Sequence, residues 1–370
     1  MFTVRRECVL RNILRKTFML QPQYAAPPEC SAKVASIGVM SSKNLEPTWM
    51  PDILGDGYEQ AALELGEDPD TGKDVRAVLV RATAGNANAK ADKPALLWIH
   101  GLSDYFFQTH VAEYFTSQGY PFYAIDLRRC GRARTRGQRW HYTTEMAHYF
   151  PELTWALEIV AKQHGSVVPF AHSTGGLIAP LWADHLRRED PANHAKLKGM
   201  ILNSPWLDLQ FNPLAVRLGR PVIKLLGRAI PLMPLPNGGL GAYGASIHES
   251  QHGEWRFNTE MKPLDGHRKY MGWIRAVVKA QEEIHSGEVD TGVPTLTMMS
   301  SHSYLGEDYS PAADAADTVL DVEQIRKWAP KVAEVTETKT IDGARHDVFL
   351  SEPFAREVAY KTTTEWLEQL

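Results

Sequence analysis

Hydrophobic positions follow a repeating pattern from about residue 55 onward. Short apolar runs, rich in β-branched and aromatic residues, alternate with longer stretches in which apolar residues recur at helical spacing. Strands that alternate with helices in this way are typical of βα units, whose strands form a mostly parallel sheet with helices on its faces. The pattern therefore predicts an α/β fold with a doubly wound sheet.

Eight strands are predicted, of which the first two differ from the rest. Residues 58–65 and 75–81 are joined by a turn-rich segment, so we expect them to form an antiparallel pair. The other predicted strands are residues 95–100, 121–126, 167–171, 198–203, 294–300 and 337–341. Helices are predicted to begin near Val111, Met146, Gly176, Val322 and Phe354. Together these elements predict a mostly parallel, eight-stranded sheet.

The alternation stops between residues 206 and 287, where Pro, Gly, Trp and Met are frequent. Only residues 214–229 and 267–284 have a helical pattern there. We interpret residues 206–287 as a cap inserted into a core that comprises residues 50–205 and 288–370. Two roles are open for its aromatic residues, which either line an apolar acyl-binding site or pack the cap on the core: Trp206, Trp255, Phe257, Tyr270 and Trp273.

Composition and charge narrow the class of partner. The net charge of −4 gives no electrostatic argument for nucleic acid or an anionic membrane, so a small neutral or weakly charged molecule is the expected partner. No apolar run approaches the roughly 20 residues that span a bilayer, so no stable membrane insertion is expected. The three cysteines match neither a disulfide framework nor a zinc site, which favours a reducing, cytoplasmic location.

The first 39 residues form a basic extension that we do not expect to belong to the fold. Its apolar stretch is interrupted by Arg11, Asn12, Arg15 and Lys16, unlike a secretory signal. An organelle presequence, a basic amphipathic anchor, a disordered tail and an extension upstream of a start at Met40 all remain open.

The segment from Val167 to Gly176 combines the features of a nucleophile elbow. An apolar run leads into Ser173, and a helix-like stretch follows directly. A sharp strand-to-helix turn lifts the serine hydroxyl out of the sheet edge and requires small neighbours, here Ala171 and Gly175. The usual pattern is G-x-S-x-G, so Ala171 departs from it by one methyl group. Ser173 is the predicted nucleophile.

A second segment, Leu96–Leu102, is a predicted strand that ends in His-Gly, where an oxyanion loop is expected. Paired with the N–H of Thr174, the backbone N–H of Leu102 would stabilise the negative charge that develops on a carbonyl oxygen. The prediction for His100 is that it orients this loop through hydrogen bonds. We expect His100, Gly101, His172 and Trp206 to surround the substrate.

The general base is predicted from the loop after the last strand. His346 lies in that loop close to the C-terminus, and a triad in the chain order Ser, acid, His requires its base there. The acid should follow the preceding strand, where four aspartates occur: Asp308, Asp314, Asp317 and Asp321. We prefer Asp317, which begins a D-x-V-apolar stretch, while Asp314 and Asp321 remain alternatives and Asp208 is a more remote one.

Four of these segments resemble the monoglyceride lipase and serine aminopeptidase-like branch of the α/β-hydrolases. They are residues 97–102, 171–176, 317–320 and 344–347. The elbow of that branch commonly reads G-H-S-x-G-G, and every position but Ala171 matches. The resemblance covers roughly residues 55–205 and 288–370, and it implies an α/β-hydrolase fold and a serine hydrolase.

One loop departs from the family pattern. Lipases of this branch usually have D-x-x-G-H-G-x-S after a strand, and here Asp126 is followed by an arginine-rich stretch with six arginines: Arg128, Arg129, Arg132, Arg134, Arg136 and Arg139. Two interpretations are open, either attraction of a carboxylate- or phosphate-bearing substrate or a solvated loop.

The function that we predict is hydrolysis of a carboxylic ester, either a short- to medium-chain acyl ester or a monoglyceride-like molecule, without a metal or an organic cofactor. Thioester hydrolysis, amide hydrolysis and acyl transfer use the same groups and remain alternatives. A non-catalytic ligand-binding homologue is the alternative from another class. The sequence leaves open the acyl chain length and the oligomeric state.

Overall fold

The protein was analysed as a computed structural model, which describes residues 46–83, 90, 92–210, 213–236, 239–306 and 308–370. Residues 46–370 form one compact unit. The predicted basic extension, residues 1–39, lies outside the described residues.

Among the described residues, a sheet of nine strands forms the centre of this unit. The strands are β1 Met50–Pro51, β2 Tyr58–Glu67, β3 Asp74–Ala82, β4 Ala95–Ile99, β5 Phe122–Asp126, β6 Val167–His172, β7 Met200–Asn203, β8 Thr295–Ser300 and β9 Thr336–Ile341. Their order across the sheet is β1-β2-β3-β5-β4-β6-β7-β8-β9. The pairs β1–β2, β2–β3 and β3–β5 are antiparallel, and all pairs from β5 to β9 are parallel.

The predicted α/β-hydrolase sheet is confirmed, with one difference in the number of strands. Each of the eight predicted strands is present, and the structure adds the two-residue edge strand β1, in which Met50 pairs with Gln60. A strand of two residues is too short to produce a periodic pattern of hydrophobic positions, so β1 was not predicted. The parallel strands β4, β6, β7 and β8 are buried along their whole length, which explains their continuous apolar runs.

Helices cover both faces of the sheet. Along β4, Leu97 and Ile99 pack into one hydrophobic cluster while Leu96 and Trp98 pack into the other, as alternation across a strand requires. The helices are α1 Thr109–Ser117, α2 Phe150–His164, α3 Gly175–Glu189, α4 Pro191–His194, α5 Pro213–Ala229, α6 Gly241–Ile247, α7 Met271–Ser286, α8 Val322–Trp328 and α9 Pro353–Leu367. None of the helices in the described ranges is long and apolar enough to cross a membrane.

The segment between β7 and β8 contains helices α5, α6 and α7. Helix α7 contributes Trp273 and Val277 to the hydrophobic cluster that contains Leu97 and Ile99, so it fastens this segment to the sheet. Helix α5 lies close against α7, since a Cβ atom at Gly227 would stand 2.5 Å from the Cβ of Arg275. The proposed cap, residues 206–287, contains these three helices, and its exact limits remain a prediction.

Three of the six arginines in the arginine-rich loop have a structural role that neither interpretation of the sequence included. Arg132 is buried between Asp52 and Asp126, at 2.7 and 2.8 Å, and Arg128 forms a buried ion pair with Glu152 at 2.6 Å. Arg129 is also buried and pairs with Asp68. These three guanidinium groups therefore hold the loop and the first strands together, whereas Arg136 and Arg139 are exposed.

Candidate active site

Ser173 occupies a strained turn between β6 and α3. Its φ angle is +54°, in the left-handed region that residues with a side chain rarely adopt. The turn is tight, because a Cβ atom at Gly175 would stand 2.6 Å from the carbonyl oxygens of Ile99 and His100. Ala171 precedes this narrow point as a fully buried strand residue, so its methyl group is accommodated in the core.

Three side chains from different loops form a continuous chain of hydrogen bonds. The hydroxyl group of Ser173 donates to Nε2 of His346 at 2.9 Å. Nδ1 of His346 donates to a carboxylate oxygen of Asp317, also at 2.9 Å. All three residues are buried, and they follow β6, β9 and β8, which are parallel strands whose carboxyl ends share one edge of the sheet.

The carboxylate of Asp317 is held in place from both sides. One oxygen binds His346, and the other accepts the backbone N–H groups of Val319 and Leu320, each at 2.8 Å. The D-x-V-apolar stretch in the sequence therefore corresponds to a turn in which the aspartate side chain accepts hydrogen bonds from the backbone ahead of it.

The other candidate aspartates are engaged elsewhere. Asp314 pairs with the buried guanidinium of Arg345 at 2.9 Å, and Asp321 caps the N-terminus of α8. Asp208 pairs with Arg220 at 2.6 Å, and Asp308 is exposed. Among the four aspartates predicted after β8, only Asp317 has a hydrogen bond to His346.

The loop after β4 approaches the serine closely and carries Leu102. A Cβ atom at Gly101 would stand 2.9 Å from the Cβ of Ser173, so glycine permits this approach. The imidazole of His100 links this loop to the residue after β5: its Nε2 accepts the N–H of Leu127, and its Nδ1 lies 2.7 Å from the carbonyl oxygen of Gly101. His100 and Gly101 do not line the cavity in front of Ser173, which differs from our expectation that they contact the substrate.

A buried network that the sequence did not reveal connects the serine turn to the histidine loop. The carbonyl oxygen of Asn203 accepts the N–H of Ser173 at 3.0 Å, while its side-chain amide donates to Asp347 at 2.7 Å. Gln108 donates to the second oxygen of Asp347 at 3.1 Å. His172 lies next to this network, and burial lowers its pKa to about 4, so its imidazole is neutral near pH 7.

A cavity of about 300 Å³ opens in front of Ser173. Leu102, Thr174 and His346 line it together with the serine, and its remaining wall is largely apolar. Among the predicted substrate-contacting residues, His172 and Trp206 line it. Tyr243 was not predicted, although it lines the cavity and its ring is nearly perpendicular to the imidazole of His346, at a centroid distance of 5.5 Å.

Each aromatic residue of the proposed cap has one of the two predicted roles, lining the cavity or packing the cap on the core. Trp206, Phe257 and Trp273 line the cavity. Trp255 and Tyr270 lie outside its wall: the indole of Trp255 donates to the carbonyl oxygen of Leu350, and Tyr270 packs edge-on against Tyr142. Their part is to pack the segment between β7 and β8 on the rest of the protein.

A buried ion pair forms part of the cavity wall. Nζ of Lys262 lies 2.9 Å from a carboxylate oxygen of Asp104, and both side chains are buried. The ammonium group also lies 5.4 to 5.8 Å from the ring centroids of Phe107, Tyr243 and Phe257. Burial raises the pKa of Asp104, but the charge of Lys262, its hydrogen bond to the carboxylate and the neighbouring imidazoles together outweigh burial and lower this pKa below its usual range. The pair joins the segment after α6 to the loop that carries Leu102.

Replacement of Lys262 by methionine is expected to destabilise the protein by about 3 to 5 kcal/mol, because it leaves the Asp104 carboxylate buried without a counter-charge. The double variant Lys262→Met/Asp104→Leu should recover most of this loss. Urea unfolding measures both free energies. In the single variant the pKa of Asp104 is raised in the folded state, so the deficit should shrink as the pH falls and the carboxyl group is protonated. Strictly additive losses in the double variant would show that the two side chains are not coupled.

Fold and site geometry are those of an α/β-hydrolase, a class in which a serine follows a parallel strand and a histidine follows the last strand. A family model described as "Serine aminopeptidase, S33" matches residues 90–353, well over half of the chain. The chain belongs to this family. The prediction of a serine hydrolase from the monoglyceride lipase-like branch is therefore confirmed, while a comparison with curated proteins gives no match.

Solved structures with a similar fold include two lipases. A soluble variant of monoglyceride lipase from Saccharomyces cerevisiae, in complex with a substrate analog, has a TM-score of 0.57 and 17% identity, covering 89% of this chain and 96% of that chain. Monoacylglycerol lipase from Paleococcus ferrophilus has a TM-score of 0.53 and 18% identity, with 83% and 98% covered. A putative hydrolase from Agrobacterium vitis S4 has a TM-score of 0.53 and 14% identity, with 84% and 99% covered. At these identities the similarity shows the fold.

Proposed function

We propose that the protein hydrolyses carboxylic esters with a short- to medium-chain acyl group, including monoglyceride-like molecules, through an acyl-enzyme on Ser173. The observation that carries this proposal is the hydrogen-bonded chain Ser173–His346–Asp317 at the floor of a largely apolar cavity. The fold of this chain resembles those of a monoglyceride lipase and a monoacylglycerol lipase, which is consistent with such a substrate.

The proposed reaction begins with attack of the Ser173 oxygen on the ester carbonyl carbon. His346 takes the hydroxyl proton at Nε2 and Asp317 stabilises the resulting imidazolium. His346 then gives the proton to the departing alcohol oxygen, which leaves an acyl-enzyme. Water, deprotonated by the same imidazole, hydrolyses the acyl-enzyme and restores the free serine.

The negative charge on the carbonyl oxygen requires donors that face the cavity. The backbone N–H groups of Leu102 and Thr174 are the proposed pair, since both residues line the cavity beside Ser173. Within the described ranges, no backbone carbonyl accepts either N–H group. Removal of one such donor typically costs about 10²- to 10³-fold in rate.

Amide hydrolysis is the second candidate, because the matching family is described as serine aminopeptidase. An aminopeptidase requires a negative group that binds the substrate's terminal ammonium. Among the described residues that line the cavity, Asp104 is the only carboxylate, and Lys262 already neutralises it at 2.9 Å. This pairing favours an uncharged acyl substrate and hence an ester.

A series of p-nitrophenyl esters of graded acyl length tests the proposal. We expect kcat/KM to rise about fourfold for each added methylene, from about 0.8 kcal/mol per buried CH₂, until the cavity is full, and then to level off or fall. Aminoacyl p-nitroanilides, assayed in parallel, should be poor substrates. Preference for the anilides, or turnover that Ser173→Ala retains, would contradict ester hydrolysis at this site.

A further inference from the structure

A second cavity, of about 350 Å³, lies between three helices and is here named the α5–α8 pocket. Side chains from α5, α7 and α8 line it, together with Asp208 and Leu209 from the segment after β7. Leu209 also lines the cavity in front of Ser173, so the two cavities are neighbours. None of the three residues of the hydrogen-bonded chain at Ser173 lines the α5–α8 pocket, and the proposed ester hydrolysis gives it no role.

Positive charge predominates in the wall of the α5–α8 pocket, although the chain as a whole has a net charge of −4. The wall contains three cationic and two carboxylate side chains: Arg217, Arg220, Lys327, Asp208 and Glu282. Asp208 is paired with Arg220 at 2.6 Å, and Glu282 is paired with Lys224, outside the wall, at 2.8 Å. In the part of the chain that the structure describes, Arg217 and Lys327 have no carboxylate partner. The pocket therefore has an excess of two positive charges.

Arg220 is fixed in position and has one donor to spare. Its Nη2 donates to Asp208 at 2.6 Å, and its Nη1 donates to Nδ1 of His285 at 3.2 Å. The imidazole is oriented in turn, because its Nε2 donates to the carbonyl oxygen of Leu207 at 2.8 Å. Nε of Arg220 is buried and has no acceptor among the described residues. A buried N–H group without an acceptor costs free energy, so this group favours a ligand that supplies one.

Gln324 offers the opposite kind of group to the same pocket. Its side-chain oxygen is buried and accepts no hydrogen bond from any residue in the described ranges. An amide oxygen accepts from a hydroxyl or an N–H group. The apolar part of the wall is formed by Leu209, Val216 and Pro221. The α5–α8 pocket thus combines unpaired cations, a free donor, a free acceptor and apolar surface.

We propose that the α5–α8 pocket binds a small phosphate monoester that carries a hydroxyl group. A phosphate monoester is close to a dianion at neutral pH, which matches the excess of two positive charges. Arg217 and Lys327 bind the phosphate oxygens together with Nε of Arg220, and a hydroxyl group of the ester donates to Gln324. A volume of about 350 Å³ suits a small molecule rather than a peptide or a nucleic acid. This site is independent of the proposed function.

Isothermal titration calorimetry with glycerol 3-phosphate tests the proposal on the full chain. At physiological ionic strength, one molecule should bind per chain with a Kd on the order of 0.1 mM. Arg217→Gln/Lys327→Gln should raise this Kd at least about tenfold, because it removes both unpaired cations. The matched control is Arg136→Gln/Lys331→Gln, which removes two exposed cations elsewhere and should bind as wild type does.

A second ligand tests the contact of Gln324. Methyl phosphate has the same charged group as glycerol 3-phosphate but no hydroxyl. Gln324→Leu should raise the Kd of glycerol 3-phosphate about five- to tenfold, from the loss of one hydrogen bond, and leave that of methyl phosphate unchanged. Hydrolysis of a water-soluble ester should persist in every variant, which reports an intact fold.

Several results would overturn the proposal. They are absence of binding to the wild-type protein, equal losses in the pocket and control variants, and equal effects of Gln324→Leu on both ligands. Dihexanoyl phosphatidate carries the phosphate group of a lipid headgroup, and tighter binding of it than of glycerol 3-phosphate would also contradict a soluble ligand. Failure of the proposed function would be distinct, since it would appear as absent ester hydrolysis while glycerol 3-phosphate still binds.

Discussion

Replacement of Ser173 by alanine should lower kcat for ester hydrolysis by about 10⁴- to 10⁶-fold and leave KM nearly unchanged. The large effect is expected because, in the proposed mechanism, Ser173 alone supplies the oxygen that forms the acyl-enzyme, whereas the apolar cavity proposed to bind the acyl chain is retained. A fluorophosphonate probe should label the wild-type protein and fail to label Ser173→Ala. Steady-state kinetics and probe labelling thus measure the same group independently.

The matched control for this variant is Ser117→Ala, which removes an exposed hydroxyl at the end of α1. It should keep full activity and full labelling. If Ser173→Ala were labelled or retained activity, another residue would be the nucleophile. If wild-type protein bound esters tightly without turning them over, the assignment of Ser173 as an activated nucleophile would be wrong.

Asp317→Asn should lower kcat by about 10⁴-fold with little change in fold. Asparagine keeps the size of the side chain, but its amide no longer supplies the charge that stabilises an imidazolium, and it allows the tautomer of His346 that cannot accept the serine proton. The backbone N–H groups of Val319 and Leu320 still find an acceptor in the remaining amide oxygen. Stability should therefore change less than activity does.

Asp314→Asn and Asp321→Asn are the controls, since both aspartates were alternatives for the acid. Asp314 binds Arg345 and Asp321 caps α8, so each change should leave kcat within a few-fold of wild type and act mainly on the melting temperature. Should either control lose as much kcat as Asp317→Asn does, the position of the acid would have to be reassigned.

The fold was predictable from the sequence because its parallel strands are buried on both faces. Strands β4, β6 and β8 appear as short apolar runs, and small residues such as Gly175 mark the turn after β6. The edge strand β1 was not predicted, because its two residues are too few to show a periodic pattern of hydrophobic positions. The limits of the cap and the cytoplasmic location remain predictions.

Site residues in recognisable sequence motifs were predicted correctly as neighbours, whereas contacts between residues far apart in the sequence were not predicted. Ser173, His346 and Asp317 lie in loops with recognisable turn chemistry, and the structure brings them together. Lys262 and Asp104 have no such signal, because each is an ordinary polar residue until the chain brings them to 2.9 Å. The same holds for Arg132, whose charge in the sequence suggested a solvated or ligand-binding loop while its partner Asp52 lies eighty residues away.

The network at Asp347 determines when this site can exist during synthesis. Its partners Asn203 and Gln108 lie 144 and 239 residues earlier, and His346 lies 173 residues after Ser173. A nascent chain emerges from the ribosome N-terminus first, so the strained serine turn is made well before the imidazole that activates it. The proposed nucleophile thus stays inert until His346 has left the ribosome, and the appearance of esterase activity would report when the two loops have come together.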